Sequence, residues 1–152
     1  MNERKGTMSN LDGKIILITG AAKGMGATEA KMAVERGATV ILSDIIEDQL
    51  KTTADSLDSA FSRLDVTSKD DWEKTISKIL DDYGRIDGLV NNAGIFIQKT
   101  LFDDAQEAFE AMAKVNQLGT YLGIECVAPI MSCLLYTSDA ADEGLGVDLG
   151  GR

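Results

Sequence analysis

The 152-residue chain is 44% hydrophobic and 26% charged, the balance of a globular domain rather than of a disordered or fibrous chain. A net charge of −10 sets it against phosphate backbones and so against nucleic acid as a partner, and the lack of histidine excludes His-based triads and His-ligated metals. No stretch is apolar over the length of a membrane helix and no signal-peptide core opens the chain, so the expected setting is the cytoplasm, with no membrane partner.

Residues 1–7 carry no usable pattern, which makes Met8 an alternative start, and residues 1–10 read as an N-terminal extension. From Lys14 onward short apolar runs alternate with helical patterns. Residues 14–19 are continuous and branched, which predicts a strand covered on both faces. The turn Thr19-Gly20-Ala21-Ala22-Lys23-Gly24-Met25-Gly26 leads directly into a helix over 26–36, with Ala30, Ala33 and Val34 on one face and Gly37 as its left-handed cap. A second strand is expected over 39–44, a weakly patterned helix over 47–57 and a third strand over 61–66. Ser68 caps a third helix, with Asp71 set to complete a capping box and Trp72, Ile76, Ile79 and Tyr83 as its apolar stripe before Gly84. A fourth strand is expected over 88–91. A long fourth helix over 106–130 aligns Phe109, Met112, Asn116, Gly119 and Gly123 along one side. This alternation points to an α/β fold, a doubly wound parallel sheet of Rossmann type.

The chemistry is concentrated at the strand ends. A T-G-x-x-x-G-x-G turn between strand and helix suits a pyrophosphate, because Gly20, Gly24 and Gly26 let the backbone approach and the helix start offers free N–H groups, with Lys23 and Met25 between them. Glycines also serve such turns for geometry alone. Asp44, at the tip of the second strand, is placed to accept both ribose hydroxyls of an adenosine and to repel a 2′-phosphate, which favours NAD over NADP; Lys23 argues the other way. The competing reading of Asp44 is a cap for the next helix. Asp65 and Val66 would meet the adenine by hydrogen bond and packing, although Asp65 on its own reads equally as an ordinary turn residue. Asn92, Ala93 and Gly94, in Asn91-Asn92-Ala93-Gly94, would leave a floor for a ribose; in isolation the motif reads as a turn, and its place beside the glycine turn, Asp44 and Asp65 favours the first reading.

In this order and spacing the motifs resemble the classical short-chain dehydrogenases/reductases over residues 11–131, and the resemblance implies a partial NAD-binding Rossmann domain, truncated after the fourth strand and fourth long helix. Local wording such as Gly26-Ala27-Thr28-Glu29-Ala30 and Val115-Asn116-Gln117-Leu118-Gly119 is similar to the 3α(20β)-hydroxysteroid dehydrogenase group. The resemblance implies NAD-dependent hydride transfer with a small alcohol or ketone as substrate, and a homodimer or homotetramer for the full-length form. It also implies a catalytic role for Asn116, whose carbonyl holds a water at the end of a proton relay, although a satisfied structural amide is the simpler reading of that residue. Family catalysis uses a serine and a Tyr-x-x-x-Lys pair. None exists in this chain: Tyr83 is followed four positions on by Asp87, Tyr121 by Glu125 and Tyr136 by Ala140. The expectation is an inactive fragment whose uncovered fourth strand and last helix favour aggregation. The rival is a dinucleotide-binding module without catalysis.

After Ser132 the pattern changes. Residues 133–143 match a translated sequencing adaptor (TGT CTC TTA TAC ACA TCT GAC GCT GCC GAC GAx), and residues 146–152 match its continuation after an index of about eight bases. Residues 132–152 are therefore expected to be a non-native tail making few buried contacts. Cys133 belongs to that tail, which leaves Cys126 as an unpaired thiol suited to a reducing compartment.

Overall fold

The computed structural model describes residues 10–100, 102–103 and 105–139, with side chains as far as Ser132. Four parallel strands, β1 (Ile15–Thr19), β2 (Thr39–Asp44), β3 (Ala60–Arg63) and β4 (Gly88–Val90), form one sheet in the order β3-β2-β1-β4. The order reverses between β1 and β4. In an open parallel sheet that reversal leaves a crevice beyond the carboxyl ends of the strands, where ligands are commonly held.

The helices α1 (Gly24–Val34), α2 (Glu47–Ser56) and α3 (Lys69–Tyr83) connect the strands, and α4 (Gln106–Ala113) leads through a π-helical turn (Lys114–Leu118) into α5 (Gly119–Asp139). Because β1 and β2 are buried on both faces, their successive residues feed two cores. Ile18, Val40 and Leu42 pack with Ala30, Ala33 and Leu50 of α1 and α2. Leu17 and Ile41 pack with Trp72, Ile76 and Ile79 of α3 and with Leu122 and Val127 of α5. This two-sided cover explains the unbroken apolar runs.

Caps fall where the sequence places them, with one change. Ser68 Oγ accepts the Asp71 N–H at 3.2 Å, and Gly84 closes α3 in the left-handed region. The Asp71 carboxylate does not complete a capping box. It accepts instead from the Asp65 N–H at 3.2 Å and from Arg63 at 3.1 Å, because the Ser68 N–H already donates to Asp65 O.

Several boundaries differ from expectation. Lys14 precedes β1 and Asn91 follows β4. Helix α1 begins at Gly24, two residues earlier than expected, so its first turn lies inside the glycine motif. Strand β3 stops at Arg63 rather than 66, because its neighbour β2 ends at Asp44, level with Arg63, and leaves nothing further to pair with. Asp65 and Val66 consequently stand on the following loop. The fourth helix is not one α-helix. The π turn inserts about one extra residue, which rotates the preceding segment by roughly 100° relative to a continuous α-helix. Phe109, expected inward, is 65% exposed, and Ala108 is buried in its place. Beyond the turn the small residues do face the core. A Cβ on Gly123 would lie 2.9 Å from the Trp72 ring and 2.6 Å from Asn91 Oδ1, so only glycine lets α5 come this close. Contacts expected of the tail fall outside the residues and side chains described.

Candidate nucleotide-binding crevice

Strand β1 ends in Thr19, and the chain then turns through Gly20 with φ +65. A Cβ at Gly20 would sit 2.8 Å from Ala93 Cα. One at Gly26 would lie 2.5 Å from both Gly20 O and Asn92 Nδ2. The two glycines allow the turn, α1 and the end of β4 to share a space too narrow for a side chain. Asn92 fastens them, its Nδ2 donating to Thr19 O at 2.9 Å and to Gly20 O at 3.0 Å. Thr19 Oγ1 accepts the N–H groups of Asn92 at 3.1 Å and Ala93 at 3.0 Å and donates to Val90 O at 3.3 Å. Thr19 was not singled out as a site residue. Its signal was present, since it is a hydroxyl at the last position of an otherwise aliphatic strand.

Asp44 leaves the tip of β2 on the other side of the turn. Its Oδ2 accepts the Ala22 N–H at 3.1 Å and its Oδ1 accepts the Ile46 N–H at 3.0 Å. The second bond is a local turn two residues on, just ahead of α2. The carboxylate thus braces the backbone on both sides, and its further lone pairs remain as acceptors. Asp65 Oδ1 accepts both the N–H, at 2.9 Å, and the hydroxyl, at 2.8 Å, of Thr67. The Thr67 N–H is the main cause holding the Asp65 carboxyl below its ordinary value, against a smaller opposing push from burial. Val66 is fixed from behind: its carbonyl accepts the indole N–H of Trp72 at 2.9 Å.

These groups surround a cleft of about 550 Å3, within the ~300–1,000 Å3 usual for small-molecule sites. Gly20, Lys23, Met25, Asp44, Asp65, Val66, Asn92, Ala93 and Gly94 all line it. Gly24 and Gly26 do not; Gly26 packs behind the turn. Ile45, Ile46, Leu64, Ile95 and Val115 supply apolar walls that sequence reasoning missed. Ile45 and Ile46 were legible as an exposed aliphatic pair directly after Asp44. Leu64, Ile95 and Val115 are brought in only by folding.

At the cleft mouth α1 starts without a side-chain cap and without an acid in its first turn. Its leading N–H groups therefore lack the usual internal acceptors, a ready anion site. With acceptors at Asp44 and Asp65 and aliphatic walls between them, the donor set fits a dinucleotide: donors for a diphosphate, acceptors for a sugar, apolar surface for a base. Asn116 stands nearby in the π turn and is exposed rather than on a buried face. Its Oδ1 accepts the Ile95 N–H at 2.8 Å and its Nδ2 donates to Ile95 O at 2.9 Å, which pins the segment after β4. Its carbonyl accepts the Thr120 hydroxyl at 2.9 Å. Among the described residues no helix is long and apolar enough to cross a membrane, and no group of three or more His, Cys, Asp or Glu is arranged to hold a metal.

The family model for short chain dehydrogenases matches residues 14–140, and so enters the segment that resembles adaptor sequence. The trans-4-hydroxycyclohexanecarboxylate dehydrogenase of Sinomonas cyclohexanicum is 31% identical over 129 residues, 78% of this chain and 50% of that protein. The 3-alpha-(or 20-beta)-hydroxysteroid dehydrogenase of Mycobacterium bovis is 36% identical over 123 residues, 80% of this chain and 47% of that protein. A crystal structure of a short chain dehydrogenase/reductase from Burkholderia phymatum in complex with NAD matches with a TM-score of 0.77 at 29% identity, covering 82% of this chain and 46% of that one. The chain spans about half the length of the curated relatives it matches. With the 3-2-1-4 sheet, the glycine turn and Asn92 in their places, the chain belongs to the short chain dehydrogenase family.

Proposed function

We propose that this chain is the cofactor-holding part of an NAD-dependent oxidoreductase that moves a hydride between nicotinamide and a secondary alcohol or ketone. The observation that carries the reading is the crevice itself: an uncapped helix start facing the Gly20–Lys23 turn, with Asp44 and Asp65 across an apolar cleft. In this reading Gly20, Lys23 and Met25 border the diphosphate, with Gly24 shaping the turn through its positive φ and Gly26 packed behind it, Asp44 takes the adenosine ribose, Asp65 and Val66 meet the adenine, and Asn92, Ala93 and Gly94 border the second ribose. Bound nicotinamide would supply or accept the hydride. The chain's own contribution is to hold the cofactor and to fix its two ends through Asn92 and Asp44. The negative charge at position 44 supports NAD over NADP, since a 2′-phosphate beside it would be repelled.

The hydroxycyclohexane and hydroxysteroid relatives support a cyclic secondary alcohol as the substrate class. With no Tyr-x-x-x-Lys to exchange the substrate proton, the 152-residue chain is expected to bind cofactor without turning over an alcohol. In this reading residues 11–131 are the partial nucleotide domain, residues 132–152 are non-native, and Asn116 serves the proton relay of the complete, cytoplasmic enzyme. The exposed Phe109, Leu118, Tyr121 and Ile124 support self-association of that enzyme as a dimer or tetramer. Calorimetry with NAD and NADP tests the proposal: NAD heat that exceeds NADP heat supports it, and no heat from either refutes it. NADH formation by the 152-residue chain would refute the expected inactivity.

A further inference from the structure

We infer that Thr53, on α2, is a positioning residue that locks the glycine turn in its anion-binding shape, an inference resting on the nucleotide reading of the crevice. Its hydroxyl donates to Ala22 O at 2.6 Å, across 31 residues of sequence. The Ala22 N–H in turn donates to Asp44 Oδ2 at 3.1 Å. Ala22 is buried, yet both of its backbone polar groups are satisfied by side chains of the β2–α2 unit rather than by the sheet or by α1. The Ala21 N–H, one residue earlier, still donates to Ser43 O at 3.0 Å as an extension of the β1–β2 pairing. Ala22 is thus where the turn leaves the sheet, and Asp44 and Thr53 decide how it leaves.

The consequence follows from peptide geometry. Ala22 C=O and Lys23 N–H belong to one planar trans unit and point in opposite directions. Anchoring the carbonyl on α2 therefore turns the Lys23 N–H away from α2, immediately before the uncapped start of α1, and it meets no acceptor among the described residues. A flip of this one peptide would present a carbonyl oxygen where an anion needs donors. Thr53 resists that flip from a position that is not itself part of the cleft lining. Its neighbours Leu50 and Ala54 are fully buried, so α2 is a rigid base for the hydroxyl.

The test compares the native 152-residue chain with Thr53→Val, which keeps shape and branching but removes the donor, and Thr53→Ser, which restores it. Hydrogen exchange without cofactor reads the lock through the Ala22 amide, whose bond to Asp44 is held in place when Thr53 anchors the carbonyl of the same residue. In Thr53→Val the Ala22 amide should exchange about five- to tenfold faster, while amides of Leu50 and Ala54 stay unchanged and Thr53→Ser returns to native. NAD affinity by calorimetry should fall by a similar factor in Thr53→Val and recover in Thr53→Ser. Unchanged Ala22 exchange in Thr53→Val overturns the inference, as does a uniform rise across α2, which would mark a general packing role. If Val distorts the helix, Thr53→Ala removes the same donor and is judged by the same amides. A native chain that gives no heat with NAD would refute the nucleotide reading, whereas faster Ala22 exchange in Thr53→Val would still support the lock.

Discussion

Replacing Gly26 by alanine separates close packing from backbone freedom. Gly26 lies in the first turn of α1 with ordinary helical backbone, so alanine should gain up to ~1 kcal/mol of helix propensity there. Against this, the added Cβ would stand 2.5 Å from Gly20 O and 2.5 Å from Asn92 Nδ2, neither of which can give way freely. Overpacking of this kind costs about 1–3 kcal/mol. Displacing Asn92 also loses its bonds to Thr19 O and Gly20 O, at ~0.5–1.5 kcal/mol each. The net expectation is a loss of about 1–5 kcal/mol, so sterics outweigh propensity. Urea melts at micromolar concentration, followed by the fluorescence of Trp72, the single tryptophan, should show the midpoint falling with the slope unchanged. Gly24→Ala is the control. At φ +63 with open space around its Cβ position, it should cost only the ~1–2 kcal/mol of left-handed backbone strain. A Gly26→Ala midpoint equal to or above native, or below native by less than in Gly24→Ala, would refute the argument.

Asp44→Ala should shrink the preference for NAD over NADP by at least about tenfold and weaken both, because the carboxylate also braces Ala22 and Ile46; calorimetric affinities that keep their ratio would contradict this. Trp72→Phe should cost roughly 1–3 kcal/mol by leaving Val66 O without its indole donor, read as a shift in urea midpoint by circular dichroism. For Asp87, burial pushes the carboxyl up, but hydrogen bonds from Arg85 and the Ile15 N–H, helped by the charges of Arg85 and Lys14, outweigh it and hold the group below its ordinary value. A depressed folded-state value means that the stabilisation is complete above the unfolded value of about 3.9 and is lost as pH falls through the lower folded value. Asp87→Asn should therefore flatten the fall of urea midpoint between about pH 5 and 2.5, and an unchanged slope would exclude this role. Asn116→Ala should release the segment after β4, seen as faster hydrogen exchange at the Ile95 amide with little change in the exchange of β1.

Much of this molecule was legible before folding, and the reason is local. Strands β1 and β2 announce themselves because burial on both faces demands unbroken apolar runs, and α3 because a one-sided stripe, a serine cap and a glycine stop are all read within seventeen residues. The glycine motif and Asp44 stand at strand ends, so element order alone brings them to one edge of the sheet. Other features depended on partners distant in sequence. The end of β3 was set by where β2 stops, and the inward face of α4 by a π turn that shifts its register. Asp71 abandoned its capping role because Arg63 and the Asp65 N–H lay within reach. Leu64, Ile95 and Val115 became cleft walls only once the loops after β3 and β4 and the π turn converged. Periodicity and turn chemistry thus determined the elements, their order and the residue types at the crevice. The tertiary structure decided which hydrogen bonds those residues make, because a polar group takes the nearest partner in space, and sequence distance does not measure that.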